Sequence, residues 1–357
     1  MKKNLLFYGL ALVALLFTSC ESDDNGNNDG GGVTSGKGCY VVNTGNWGGN
    51  DASVQYYDFT TGLATAGDSE ANIFALQNGS LLGDLAQDML WIKNRLFITL
   101  SGSQKLEVLD ENGKRIRDPY MFTQEGASPR MLATDGNNVY MTNYDGNVYV
   151  YDAVTADFIK KIPVGVRPEG ISYIDGYLVV NNSGDLYAYN GTVQMIDIHN
   201  GESITRELVN PYTSSVLCNG EVYIIDSGNY YDIPSAVYRI SPDGDVCESL
   251  GFAASALAAY ENTLYYVNNA WSYEVNGYVT SPLYALDVVT GERSEVLDAE
   301  TMKNVNSLSV NPDNGDIFVG YAEYGVLGTM KVFAIDGTQK GEFEVGYYTA
   351  GARFEYK

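Results

Sequence analysis

The stretch Ser128–Gly165, SPRMLATDGNNVYMTNYDGNVYVYDAVTADFIKKIPVG, reads as four short strands joined by turns. The strands are Arg130–Thr134, Val139–Asn143, Val148–Asp152 and Phe158–Val164, rich in β-branched and aromatic residues. Asp135-Gly136-Asn137-Asn138 and Tyr144-Asp145-Gly146 supply the positive φ that tight hairpins need. A single four-stranded meander has two apolar faces and nothing to cover either. Such a unit is stable only if the chain contains copies of it to pack against.

The copies are present. A second-strand element recurs seven times, 38 to 57 residues apart, at Gly38-Cys39-Tyr40, Arg95-Leu96-Phe97, Asn138-Val139-Tyr140, Gly176-Tyr177-Leu178, Glu221-Val222-Tyr223, Thr263-Leu264-Tyr265 and Asp316-Ile317-Phe318. Third strands follow, most ending in Asp: Val54–Asp58, Leu106–Asp110, Val148–Asp152, Val193–Asp197, Val237–Ser241, Leu283–Asp287 and Val332–Asp336. First strands precede six of the units, and the N-terminal unit lacks one. The sequence Ala352-Arg353-Phe354-Glu355-Tyr356 at the other end of the chain is the candidate for it. A C-terminal strand completing the first repeat closes a ring and removes its exposed edge. The expectation is an all-β fold, a seven-bladed β-propeller over residues 37–357 with four antiparallel strands per blade. With no repeated WD dipeptide, the repeat is more similar to YncE-type bacterial propellers than to WD40 proteins.

The N-terminus predicts an address. Lys2-Lys3 precedes the apolar run Leu5–Phe17, which is the length of a signal h-region and short for a spanning helix. The run ends Phe17-Thr18-Ser19-Cys20, similar to a bacterial lipobox with Phe where Leu is usual. That resemblance implies a signal peptide over residues 1–19 and a lipidated Cys20; a plain secretory signal with an incidental cysteine is the other reading. Residues 20–36 are polar and Gly/Asn-rich, the composition of a flexible acidic tether. Glu21-Ser22-Asp23-Asp24 resembles the signal that sends Bacteroidota lipoproteins to the outer face of the outer membrane. The formal charge of −24 disfavours nucleic acid and anionic membrane surfaces as partners. Cys39, Cys218 and Cys247 read as buried thiols, and with one histidine they make no metal constellation.

Topology sorts the loops. Turns after strands one and three lie on one face and are short. Connections between strands two and three, and between blades, lie on the other and are long. The two-to-three loops hold nine of the 29 Tyr and two of the three Trp. Aromatic and Asn side chains on loops give rigid, half-polar contact area, as in a paratope. The candidate ligand-binding residues are therefore Asn46, Trp47, Tyr144, Tyr187, Tyr230, Tyr231, Trp271, Tyr273, Tyr321, Tyr324 and Tyr347. Arg130 and Arg167 each follow a blade connection. With Arg353 they would aim guanidinia at the axial mouth for a carboxylate or phosphate; ion pairs to Glu125 or Glu169 are the alternative. Catalytic signals are weak. His199 sits on the short-turn face without a second histidine, and pairs drawn from Asp185, Asp232, Glu274 and Glu323 are what any acidic chain offers. No phosphate loop or nucleophile elbow is present. The expectation is a binding protein, not an enzyme, with no cofactor and no metal.

The leader, the acidic tether, the opening Tyr40-Val41-Val42-Asn43-Thr44-Gly45-Asn46-Trp47 and the seven-fold repeat together resemble the BtuG-type surface lipoproteins of Bacteroidota. The resemblance implies capture of cobalamin or related corrinoids and transfer to a TonB-dependent outer-membrane transporter, with membrane attachment by the lipid anchor alone. It carries over no binding residue individually. Aromatic faces would pack on the flat macrocycle while Asn, Tyr and Arg bond its amide arms. His199 lies on the wrong face to ligate cobalt, so binding through the periphery is expected. A glycan-binding or glycan-cleaving propeller and a protein-interaction platform remain open beside this reading.

Overall fold

The computed structural model describes residues 37–357 except Thr213, Ser214, Tyr273 and Tyr324, with the backbone alone at Ser272. The expected signal peptide, Cys20 and the tether lie outside the described residues. What is described is a seven-bladed β-propeller. Seven sheets each contain a four-strand antiparallel meander, in which successive strands pair. The third blade shows the plan: Pro129–Thr134, Asn138–Asn143, Asn147–Asp152 and Phe158–Pro163.

The repeat needs copies for a reason visible in one strand. Asn138–Asn143 alternates: Val139 and Met141 pack toward the second blade, and Tyr140 packs toward the fourth. Both faces are buried, so the strand is apolar nearly throughout. Each pair of neighbouring blades shares one such cluster. The last joins Phe318, Met330 and Val345 of the seventh blade to Cys39 and Val41 of the first. The innermost strands also contact their neighbours all the way round.

Closure differs from expectation in its register. The strand that completes the first blade is Thr349–Arg353, paired with Gly38–Asn43. Glu355–Tyr356 continues to the second blade and pairs parallel with its first strand, Ala86–Ile92. The chain end therefore joins two blades. Gly351 permits this: its φ is +113°, and a Cβ there would lie 2.6 Å from Ser309 Oγ. Gln55, fully buried, ties the seam by donating to Thr65 O and Glu344 O.

Other departures are local. The third strand of the seventh blade is Gly328–Phe333, not Val332–Asp336. Asp336 instead caps the following turn by accepting from Thr338 N. A short helix, Ile73–Asn78, sits between the first two blades with Asn72 as its N-cap and Gly79 as its C-cap. Its flank is held by Arg115, which packs over Phe74 and bonds the buried Glu107 through two nitrogens. The sixth blade's long loop contains a hairpin of its own, Asn269–Ser272 with Gly277–Thr280. Cys39, Cys218 and Cys247 are free thiols; Cys39 and Cys218 are buried as expected, Cys247 on an outer strand is only half-buried, and burial pushes the Cys39 thiol up. Among the described residues no helix is long and apolar enough to cross a membrane.

Candidate functional site

Every blade presents its two-to-three loop and its incoming connection on the same face, stitched together by backbone hydrogen bonds. Tyr144 N donates to Ser128 O, Ser183 N to Arg167 O, Ser227 N to Asn210 O and Gly45 N to Tyr347 O. The opposite face carries tight turns, with both central residues at positive φ in Asp175-Gly176 and Asn219-Gly220. His199 lies exposed on that side.

On the loop face, the fourth and fifth blades build a basin of about 250 Å³ lined by Arg167, Tyr187, Tyr189, Asn210, Tyr212 and Tyr230, among others. Tyr187 and Tyr230 project with 81% and 69% of their surface exposed, and Tyr231 with 86%, so the rings cover little of the protein itself. Tyr189 stands edge-on to both Tyr230 and Tyr231, centroids 6.3 and 6.5 Å away. Arg167, Tyr187, Tyr189 and Tyr230 all adopt φ between +51° and +65°. Left-handed backbone at four bulky residues is costly and clusters where a site must aim side chains.

Beneath the basin lies a buried polar layer. Glu169, 1% exposed, accepts from Arg130 Nε at 2.8 Å and from the Tyr144 hydroxyl. Burial pushes the Glu169 carboxyl up, and the Arg130 charge only partly offsets this. Arg130 and Arg167 both pack on the Tyr144 ring, their Cζ atoms 4.8 and 4.5 Å from its centroid. The two arginines thus have different fates. Arg130 is neutralised by Glu169. Arg167 has no carboxylate within 4.0 Å among the described residues and faces the basin. Asp226 holds the neighbouring connection by accepting from Val209 N and Asn210 N, and the Asn210 amide in turn reaches the Tyr230 hydroxyl at 3.4 Å.

Of the residues singled out in the sequence, Arg130, Tyr144, Arg167, Tyr187, Tyr230 and Tyr231 come together here. The others do not join them. Trp47 is 89% exposed on the first blade's loop, where Asp51 clamps Asn46 through its backbone and side-chain nitrogens. Trp271 packs edge-on against Tyr278 in the sixth blade's hairpin. Tyr321 lies under Lys331 in the cleft between the sixth and seventh blades. Tyr347 is half-buried on the connection that closes the ring. Arg353 lines the axial cavity, where its Nε meets Asp88 Oδ1 at 2.8 Å. Tyr273 and Tyr324 lie outside the described residues. Tyr189, Asn210 and Tyr212 joined the basin without being singled out. Their only signal was membership of the same long loops and connections. Among the described residues no group of three or more His, Cys, Asp or Glu is placed to hold a metal ion.

No protein-family model and no curated protein sequence matches the chain. Solved structures do resemble it. Streptogramin B lyase aligns with a TM-score of 0.54 at 14% identity, covering 73% of this chain and 83% of that one. The WD40 domain of Neurospora crassa Pan2 aligns with a TM-score of 0.54 at 11% identity, covering 76% and 79%. The computationally designed Ika8 protein aligns with a TM-score of 0.54 at 13% identity, covering 91% and 92%. An enzyme, a WD40 domain and a designed protein share this architecture, so the likeness identifies the chain as a β-propeller and leaves its chemistry to its loops.

Proposed function

We propose that the protein is a non-catalytic capture protein that binds a flat, amide-bearing ligand of the corrinoid class on its loop face. The observation that carries this is the Tyr/Arg basin of the fourth and fifth blades, with exposed rings above a buried Arg130–Glu169–Tyr144 layer. Exposed, backbone-constrained tyrosines offer stacking area at low entropic cost, and Asn210 and Arg167 offer donors to amide carbonyls. The basin is smaller than a whole macrocycle. A corrinoid would seat one edge in it and lie across Tyr187, Tyr230 and Tyr231, leaving the cobalt ligands undisturbed. In this reading Cys20 anchors the protein to the outer membrane, and the ligand passes to a TonB-dependent transporter.

Calorimetry of the purified protein against cyanocobalamin tests the proposal. Saturable one-to-one heat is expected, and Arg167→Ala should weaken binding about tenfold or more. The cobalamin absorbance spectrum should keep its original axial ligands. Heat with oligosaccharides and none with any corrinoid would transfer the basin to glycans.

A further inference from the structure

A second cavity lies away from the loop face, at the outer rim between the fifth and sixth blades. It holds about 440 Å³ and reaches Gly291 in a short turn of the sixth blade. That volume falls in the range of small-molecule sites. Its wall is aromatic: Phe252 stacks on Tyr266 with centroids 4.2 Å apart, and Leu250, Leu286 and Val288 continue the apolar surface. The charges around it are unequal. Arg239 is occupied by Glu221 at 3.3 Å and Glu248 at 2.7 Å. Asp287 is turned to the backbone amides of Val289 and Thr290. Arg293 alone is left over. Its guanidinium sits 4.8 Å from the Tyr284 ring centroid and donates to the Tyr266 hydroxyl, and among the described residues no carboxylate lies within 4.0 Å. The cleft therefore combines an apolar aromatic slot with one unneutralised cation at its mouth.

Blade divergence alone does not produce this chemistry. The corresponding cleft between the sixth and seventh blades is larger, about 630 Å³, and its wall includes Asp298, Glu300, Lys303 and Lys331. No ring stack lines it among the described residues.

We propose that the cleft between the fifth and sixth blades binds a small aromatic monoanion, its ring on the half-buried surface of Phe252, Leu250 and Val288 and its acid group on Arg293. A ring packs on this apolar wall, and a planar acid pairs with a guanidinium already oriented by Tyr266. The site is independent of the loop-face basin.

The experiment is fluorescence titration of the purified protein with 8-anilinonaphthalene-1-sulfonate, followed by displacement with phenylacetate and with phenylacetamide. One saturable site is expected. Phenylacetate should displace the probe at least tenfold better than its uncharged amide. Arg293→Gln, a surface change that leaves the fold intact, should weaken the probe about tenfold and erase the preference for the acid. Val288→Trp, which fills the slot, should abolish binding, while Lys114→Gln, which removes one charge elsewhere, should not alter it. The proposal is overturned by non-saturable binding, by equal displacement by acid and amide, or by affinity unchanged in both Arg293→Gln and Val288→Trp.

Discussion

At the scale of the residue, Glu169 carries the site's geometry at little gain in stability. Its carboxylate is buried against Arg130 and Tyr144, yet its proton is held more tightly than in an unfolded chain, because desolvation outweighs the arginine's attraction. A carboxyl raised in this way adds stability that is fully present below its unfolded value, near 4.5, and is lost as pH rises through the folded value. Glutamine keeps an oxygen for Arg130 and an amide for Tyr144. We expect Glu169→Gln to change unfolding free energy near neutrality by under about 1 kcal/mol and to remove that decline with rising pH. Alanine leaves Arg130 buried and unpaired, so Glu169→Ala should cost roughly 3 kcal/mol. Denaturant titrations of the three proteins from pH 4 to 8 check both statements. A Gln variant as unstable as the Ala variant would show the ion pair to be a net stabiliser after all.

At the scale of the element, the repeating Asp explains both what was legible and what was not. Asp58, Asp152 and Asp287 end third strands and accept from amides two and three residues on, which holds their carboxyls below the ordinary 3.8. A depressed carboxyl contributes stability above its unfolded value, and the contribution is lost as pH falls through the folded one. The melting temperature should therefore drop as pH falls below about 4, and the triple Asn variant of these positions should show a shallower drop by calorimetry. An unchanged acid slope would remove the turns from the account. This turn chemistry, with the doubly buried second strands, made the seven-fold plan readable. It misled where the seventh blade moves its Asp into the turn: Asp336 lies three residues past Phe333, where its strand ends. The helix Ile73–Asn78 had both caps in the sequence, but six residues hold too few turns for apolar periodicity to register. In the sixth blade the hairpin of Asn269–Ser272 with Gly277–Thr280 reads as loop in the sequence because its strands have only four residues each. The aromatic loops were legible as a surface. Which of them meet was not, since Tyr189 and Tyr230 belong to neighbouring blades and only the blades' relative placement brings them together.

At the scale of the whole molecule, the ring stands on its seam. Six blade interfaces join consecutive stretches of chain, while the seventh depends on Thr349–Arg353 finding Gly38–Asn43 across the full length of the domain. That pairing has the largest loop to close and forms against the steepest entropy. Side chains reinforce it: Thr349 donates to Val42 O, Asn306 to Thr349 O, and Ser309 accepts from Ala352 N. Deleting residues 349–357 should leave Gly38–Asn43 as an unpaired inner edge and uncover one face of the first blade, yielding aggregated or molten protein by light scattering and near-ultraviolet circular dichroism. Deleting only 355–357 removes the short parallel pairing to the second blade and should leave a cooperative transition at a lower temperature. Gly351→Val isolates the seam itself, since it removes no hydrogen bond but asks a β-branched residue to adopt φ +113° beside Ser309. It should cost several kcal/mol and expose the protein to proteolysis around residues 345–350. A Gly351→Val protein as stable as the parent would mean that the blades hold their circle without the closing strand, and that the chain's end is an accessory to the ring.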